Sequence, residues 1–264
     1  MLPSSIFYSC YIDKNLPGED FIPMHVFTYQ AAGTLIVNDG TREHLFTDQA
    51  FRLSRRNHLA RYTKLPPAGG EYKSYSISLD QTFLRDFSRE YGFTAEHTPV
   101  DSAPVIPVTM TPMLELYAQS LPAYFDKKGD EYDSLLSLKL KEGLLLLLKS
   151  DASLKDILFD FMEPGKIDLA YFMERHFRFN VSLERFAYLT SRSLTTFKTD
   201  FAKVFNQPPG RWLLQRRLQE AHYLMHQQGK KPSDVYLEVG FEDLSHFSFA
   251  FKKAYGVAPS HLTS

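Results

Sequence analysis

Near the end of the 264-residue chain, small polar and cationic side chains recur at helical spacing. Thr195, Lys198, Thr199 and Ala202 fall at i, i+3, i+4 and i+7, which places them on one helix face. Thr196 lies beside them. Ser245 and His246 occupy the matching place fifty residues on, and Phe249 follows one turn later. Hydroxyl, imidazole and ammonium groups at this spacing suit the donor and acceptor edges that base pairs present in a major groove. Lys203, Arg211, Arg216, Arg217, Lys252 and Lys253 lie on neighbouring turns, where cations would meet phosphates.

These residues belong to an internal repeat. Phe197, Phe201 and Phe205, followed by Asn206 and Pro209, align with Phe247, Phe251 and Tyr255, followed by Gly256 and Pro259. The alignment extends backwards, with Leu183, Ala187 and Leu189 matching Ser233, Leu237 and Val239. Each copy reads as a short helix, a tight turn and a second helix, the shape that enters a major groove. Ser193 and Asp243 are good N-caps for the second helices, and Asn206 and Gly256 can end them in the left-handed conformation. Gly240-Phe241 makes the second turn, and Thr190-Ser191 takes that place in the first. Leu194, Phe197, Phe201, Val204 and Phe205 form the expected inner stripe of the first copy, and Phe247, Phe251 and Tyr255 that of the second. A long helix joins them. It begins near Pro209, buries Leu214, Leu218, Ala221, Leu224 and Met225, and ends at Gly229. Two readers held by such a connector must sit about 34 Å apart to enter successive major grooves on one duplex face.

Charge is distributed to match. From Lys166 onward the chain carries fourteen lysines and arginines against nine acidic residues, and the remainder carries sixteen against twenty-two, although the net charge is −1. A basic tail half on an acidic front half fits a phosphate-binding module joined to a different one.

Other chemistries lack their residues. His25, His44 and His58 are isolated, with no His-x-His pair of the kind a metal-binding β-barrel needs. His222 and His226 share a helix face, but Tyr223 stands where a zinc protease needs glutamate. No phosphate-binding Gly-rich loop and no Gly-x-Ser-x-Gly is present. Cys10 is the single cysteine, so no internal disulfide or thiolate cluster can form. The expectation is a non-enzyme without cofactor or metal. The N-terminus lacks a signal peptide pattern, and the longest apolar run, Leu144 to Leu148, is far short of the roughly 18 residues that span a bilayer. A cytoplasmic protein without membrane contact is expected.

The front half must position or regulate this tail. His25–Tyr29, Thr34–Val37, Ala50–Leu53 and Tyr72–Leu79 read as strands, with Asn38-Asp39-Gly40 as a hairpin turn, which suggests a small barrel or sandwich. Beyond Asp80 the period becomes helical, with Phe83, Leu84, Phe87 and Tyr91 on one face. Two more helices are expected near 112–125 and 133–149. The second carries a broad apolar surface from Leu135 to Leu148, suited either to capping its own barrel or to a subunit interface. Glu163-Pro164-Gly165 marks the boundary between a first domain over 1–162 and a second over 166–264.

The segment from Lys166 to Ser264 resembles the AraC-type DNA-binding domain. Val239-Gly240-Phe241, Ser245-His246-Phe247-Ser248, Phe251-Lys252 and Tyr255-Gly256-Val257 with Pro259 carry the likeness in the second copy. Leu194-Thr195-Thr196-Phe197-Lys198, Pro208-Pro209 and Trp212-Leu213 carry it in the first. The resemblance implies an α+β protein with two helix-turn-helix units joined by a long helix. It implies binding to double-stranded promoter DNA and activation through RNA polymerase. Base-reading positions carry over to Thr195, Lys198, Thr199, Ser245, His246 and Phe249; the last departs from the polar residue usual there. The front half is similar in outline to the cupin-like effector or dimerisation domain of many relatives, nearest the branch that activates type III secretion. A homodimer and a small-molecule or protein effector follow as expectations. The rival expectation is an interaction scaffold whose tail meets DNA only non-specifically.

Overall fold

A computed structural model describes residues 6–12, 20–97, 103–125 and 130–262. By internal contacts the chain separates into one unit holding Phe21–Met162 and another holding Glu163–Ser264. Among the described residues the first unit contains all the strands and the second is helical, so the architecture is α+β.

In the first unit the strands are β1 (Ile6–Tyr11), β2 (Phe21–Ile22), β3 (His25–Ala32), β4 (Thr34–Asn38), β5 (Glu43–Phe46), β6 (Ala50–Ser54), β7 (His58–Leu59), β8 (Arg61–Leu65), β9 (Tyr72–Leu79) and β10 (Val105–Val108). They form a five-stranded sheet ordered β1-β9-β3-β6-β10, a three-stranded sheet ordered β5-β4-β8, and the pair β2-β7. Among the described residues no sheet closes on itself, so one closed barrel is not what the strands build. The chain leaves the large sheet for the small one at Gly33, after a register shift between Gln30 and Ala32. Gly33 has a φ of +91°, and a Cβ there would lie 2.7 Å from the Leu65 carbonyl, so only glycine fits the crossing. The hairpin at Asn38-Asp39-Gly40 forms as the sequence suggests, with Gly40 at a φ of +88°.

Ile22, Leu35, Val37, Phe46, Ala60, Tyr72 and Val105 join the sheets in one apolar cluster. A polar network crosses it. The Arg52 guanidinium donates to Gln30 Oε1 at 2.8 Å and to the Tyr72 hydroxyl at 3.2 Å. The Gln30 amide donates to the Gly33 carbonyl at 2.7 Å and to the Phe46 carbonyl at 3.1 Å. A buried guanidinium is tolerated only when its donors are used in this way.

Helices cover the large sheet: α1 (Gln81–Tyr91), α2 (Pro112–Ser120), α3 (Pro122–Phe125), α4 (Asp130–Ser150) and α5 (Lys155–Leu158). Asp80 caps α1 by accepting from the Phe83 amide, and Gly92 ends it in the left-handed region. Leu84 and Phe87 turn inward, while Tyr91 of the same predicted stripe stays 41% exposed. On α4, Leu140, Leu144, Leu147 and Leu148 pack into the core with Phe27, Phe51 and Ile77. Leu135 and Leu138 of the same run remain exposed. Tyr117 of α2 donates to the Lys139 carbonyl at 2.9 Å, and a Cβ on Gly143 would fall on its hydroxyl. Gly143 is thus the slot that lets α2 approach α4.

The second unit runs α6 (Leu169–His176), α7 (Leu183–Leu189), α8 (Leu194–Phe205), α9 (Pro209–Gln228), α10 (Pro232–Glu238) and α11 (Leu244–Tyr255). No helix of the described chain is long and apolar enough to cross a membrane.

Candidate nucleic-acid interface

The fifty-residue repeat is a structural one. α8 and α11 are each twelve residues long and begin fifty positions apart. Ser193 caps the first by accepting from the Thr196 amide, and Asp243 caps the second by accepting from the His246 amide. Asn206 and Gly256 end them with φ of 55° and 78°. The turns between the short and long helices are built differently. In the second copy Gly240 takes the left-handed conformation, with a φ of +95°. In the first, Ser191 takes it one position later, and the Thr190 hydroxyl donates to the carbonyls of Phe186 and Ala187. A side-chain bond thus replaces the conformational freedom of glycine.

Each copy has its own core. Phe197 and Phe201 are fully buried with their rings 5.5 Å apart, and the indole ring of Trp212 lies 5.5 Å from that of Phe201. Phe247 and Phe251 are fully buried with Val235, Val239, Phe241, Ala221 and Leu224. Two residues expected on inner stripes lie outside. Val204 is 48% exposed and Leu214 38%, because the phases of α8 and α9 bring Phe205, Trp212 and Leu213 inward instead. Tyr255 stands at the rim, its ring 4.6 Å from Phe251 and 4.8 Å from His222.

With the phenylalanines inward, the opposite faces of α8 and α11 are open. Thr195, Thr196, Lys198 and Thr199 are all exposed, as are Ser245, His246 and Phe249. The Thr196 hydroxyl lies 2.9 Å from that of Ser193, and the Thr199 hydroxyl donates to the Thr195 carbonyl at 3.1 Å. Both oxygens keep lone pairs for an outside donor. Lys203, Arg211, Lys252 and Lys253 are exposed too.

Two arginines expected on this surface are engaged inside the unit. Arg217 does not face outward: its guanidinium donates to the carbonyls of Phe177 at 2.8 Å, Phe179 at 2.8 Å and Gly240 at 2.9 Å. These three bonds use three of the five guanidinium N–H groups and hold the side chain within its own unit. Arg216 pairs with Glu174 at 3.1 Å and Glu220 at 3.2 Å, and lies 4.2 Å over the ring of Phe177. Carboxylates of its own domain hold its charge.

These engagements reveal a part that sequence reasoning missed. The loop between α6 and α7 is fastened both to α9 and to the turn of the second copy. Arg217 clamps that loop to the turn at Gly240, Arg178 pairs with Glu220, and the Asn180 amide donates to Glu242 at 2.7 Å. A Cβ on Gly240 would lie 2.6 Å from the Arg178 carbonyl and 3.0 Å from the Arg217 guanidinium. One signal was legible. Arg217 and Glu220 sit on the same helical phase as Leu213, Ala221 and Leu224, so two charges fall on an apolar face.

A helix-turn-helix domain model matches residues 186–264, and the model of the ExsA N-terminal regulatory domain matches residues 25–161. The chain is similar to the virulence regulon transcriptional activator VirF of Yersinia enterocolitica, with 29% identity over 189 residues that cover 70% of this chain and 69% of that protein. It is 27% identical over 187 residues to the HTH-type transcriptional regulator ExsA of Pseudomonas aeruginosa, covering 70% of this chain and 67% of that one. Among solved structures, apo ToxT from Vibrio cholerae strain SCE256 aligns over 98% of this chain and 96% of its own, at 12% identity and a TM-score of 0.49.

Proposed function

Because the chain belongs to the AraC family of DNA-binding transcription regulators and carries an ExsA-type N-terminal regulatory domain, we propose that it activates promoters by placing α8 and α11 in successive major grooves of one duplex. The observation that carries this reading is the pair of equal, equally capped helices that bury their phenylalanines and leave matching faces open. Thr195, Thr196, Lys198 and Thr199 read bases in one groove, and Ser245, His246 and Phe249 in the next. Lys203, Arg211, Lys252 and Lys253 hold the phosphates. Activation is the role named for VirF, and the partner proposed for that role here is RNA polymerase.

The first unit serves as the regulatory module, its sheets joined by the cluster around Tyr72. The exposed Met113 and Leu116 of α2 and Leu135 and Leu138 of α4 supply a surface for self-association or for a protein effector. Such a regulator works in the cytoplasm, where promoter DNA is.

The test is binding of the full chain to genomic fragments over a range of salt. Selection of particular fragments that survives at physiological salt is the expected result. Weak adhesion to every fragment, abolished by salt, would instead make the protein a scaffold with a non-specific tail.

A further inference from the structure

Phe249 is 70% exposed on α11, although the inner face of that helix is filled by Phe247 and Phe251. It occupies the place that Thr199 holds on α8. Ser245 precedes it by one turn, and Lys252 and Lys253 follow it by one. A benzyl group held in water on a rigid helix forfeits its transfer free energy, so the position makes physical sense when a partner covers it. The flanking residues say what kind of partner. A cation on the next turn and hydroxyl and imidazole groups on the preceding one suit phosphates and base edges. Along a major groove the apolar feature of a base edge is the 5-methyl group of thymine.

We infer that Phe249 makes the second copy a thymine reader, its ring covering a thymine methyl while the equivalent Thr199 reads its own groove by hydrogen bonding. The inference rests on the proposal that α11 enters a major groove, and it assigns the chemistry read there. The two copies thus use one scaffold for two modes of recognition, hydrogen bonding alone in the first and hydrogen bonding joined by an apolar contact in the second.

The experiment uses the full chain and a duplex selected by it from a random-sequence pool. Each thymine of that duplex is replaced in turn by deoxyuridine, which removes only the methyl group. One such replacement is expected to weaken wild-type binding about fourfold, the worth of one buried methyl-sized group. The same replacement should leave Phe249→Ala unaffected, and that variant should keep the wild-type melting temperature because the side chain is exposed. Phe249→Ala should also select sequences in which that thymine is no longer preferred. If every uracil is neutral for the wild type, or if the penalty persists in Phe249→Ala, the inference is overturned while specific binding stands, and Phe249 faces a protein partner instead. If no sequence is selected at all, the reading beneath it fails and the inference falls with it.

Discussion

At the residue scale, Lys198 and Thr199 are the test of the first copy. Both are exposed on α8 opposite the buried Phe197 and Phe201. Alanine at either position is expected to cost about 1–3 kcal/mol at one base pair and to relax preference there alone. Selected-site sequencing that returns an unchanged motif would remove them from the reading face. Lys253→Ala should weaken all sites alike and lower the salt slope by about one unit, as the loss of a phosphate contact does. A different residue contributes to stability against acid. His25 is buried beside Arg56, Arg55 and His58, and burial followed by those cations pushes it down to about 3. Its Nδ1 accepts from the Arg56 amide at 3.3 Å. The unfolded chain takes up this proton near pH 6.5 and the folded one resists it until about pH 3. The His25 contribution is therefore complete above pH 6.5 and declines as pH falls through that window, by up to about 1.4 kcal/mol per pH unit. Denaturant titrations between pH 7 and 4 should show this slope, and His25→Gln should flatten it.

At the element scale, helix propensity and packing disagree at Gly143. Alanine in a helix interior ordinarily gains about 1 kcal/mol over glycine. Here a Cβ would displace the Tyr117 hydroxyl from the α4 backbone and break its bond to the Lys139 carbonyl. Gly143→Ala is expected to lower the melting temperature, and a rise would mean that α2 does not need the slot. The elements themselves were largely legible. The paired caps, the phenylalanine spacing and the fifty-residue offset predict α8 and α11, because local hydrogen bonding and a 3.6-residue period leave their mark on neighbouring positions. Tyr72–Leu79 is a strand over the range its alternation predicts. Long-range pairing leaves no such mark. Strand alternation did not say that β4, β5 and β8 pair apart from β3, β6 and β9. Nor could it say that Arg217 would turn inward, since its acceptors lie 23 to 40 positions away. Arg217→Ala should accordingly destabilise the second unit by several kcal/mol, on the order of what buried hydrogen-bonded charges cost to remove, because it orphans three carbonyls. A folded variant with the wild-type melting temperature and a reduced salt slope would return Arg217 to the phosphate list.

At the scale of the whole molecule, the protein divides its chemistry between its two units. The strand-bearing unit carries the acidic excess and the exposed leucines of α4, and the helical unit carries the basic excess. Attraction for DNA therefore resides in the part that reads it, and the partner surface in the part that does not. Within the helical unit, the clamp of Arg217 on Gly240 has a consequence for the promoters themselves. A caliper with locked jaws accepts one gauge. Adding a single base pair between the two half-sites turns the outer one by about 34° and moves it by roughly a tenth of a turn's rise. Locked jaws cannot follow that rotation, so the inserted pair should cost more affinity than a mismatch at any one contacted base. Promoters recognised by this protein would then vary in the letters between their half-sites far more freely than in how many letters there are.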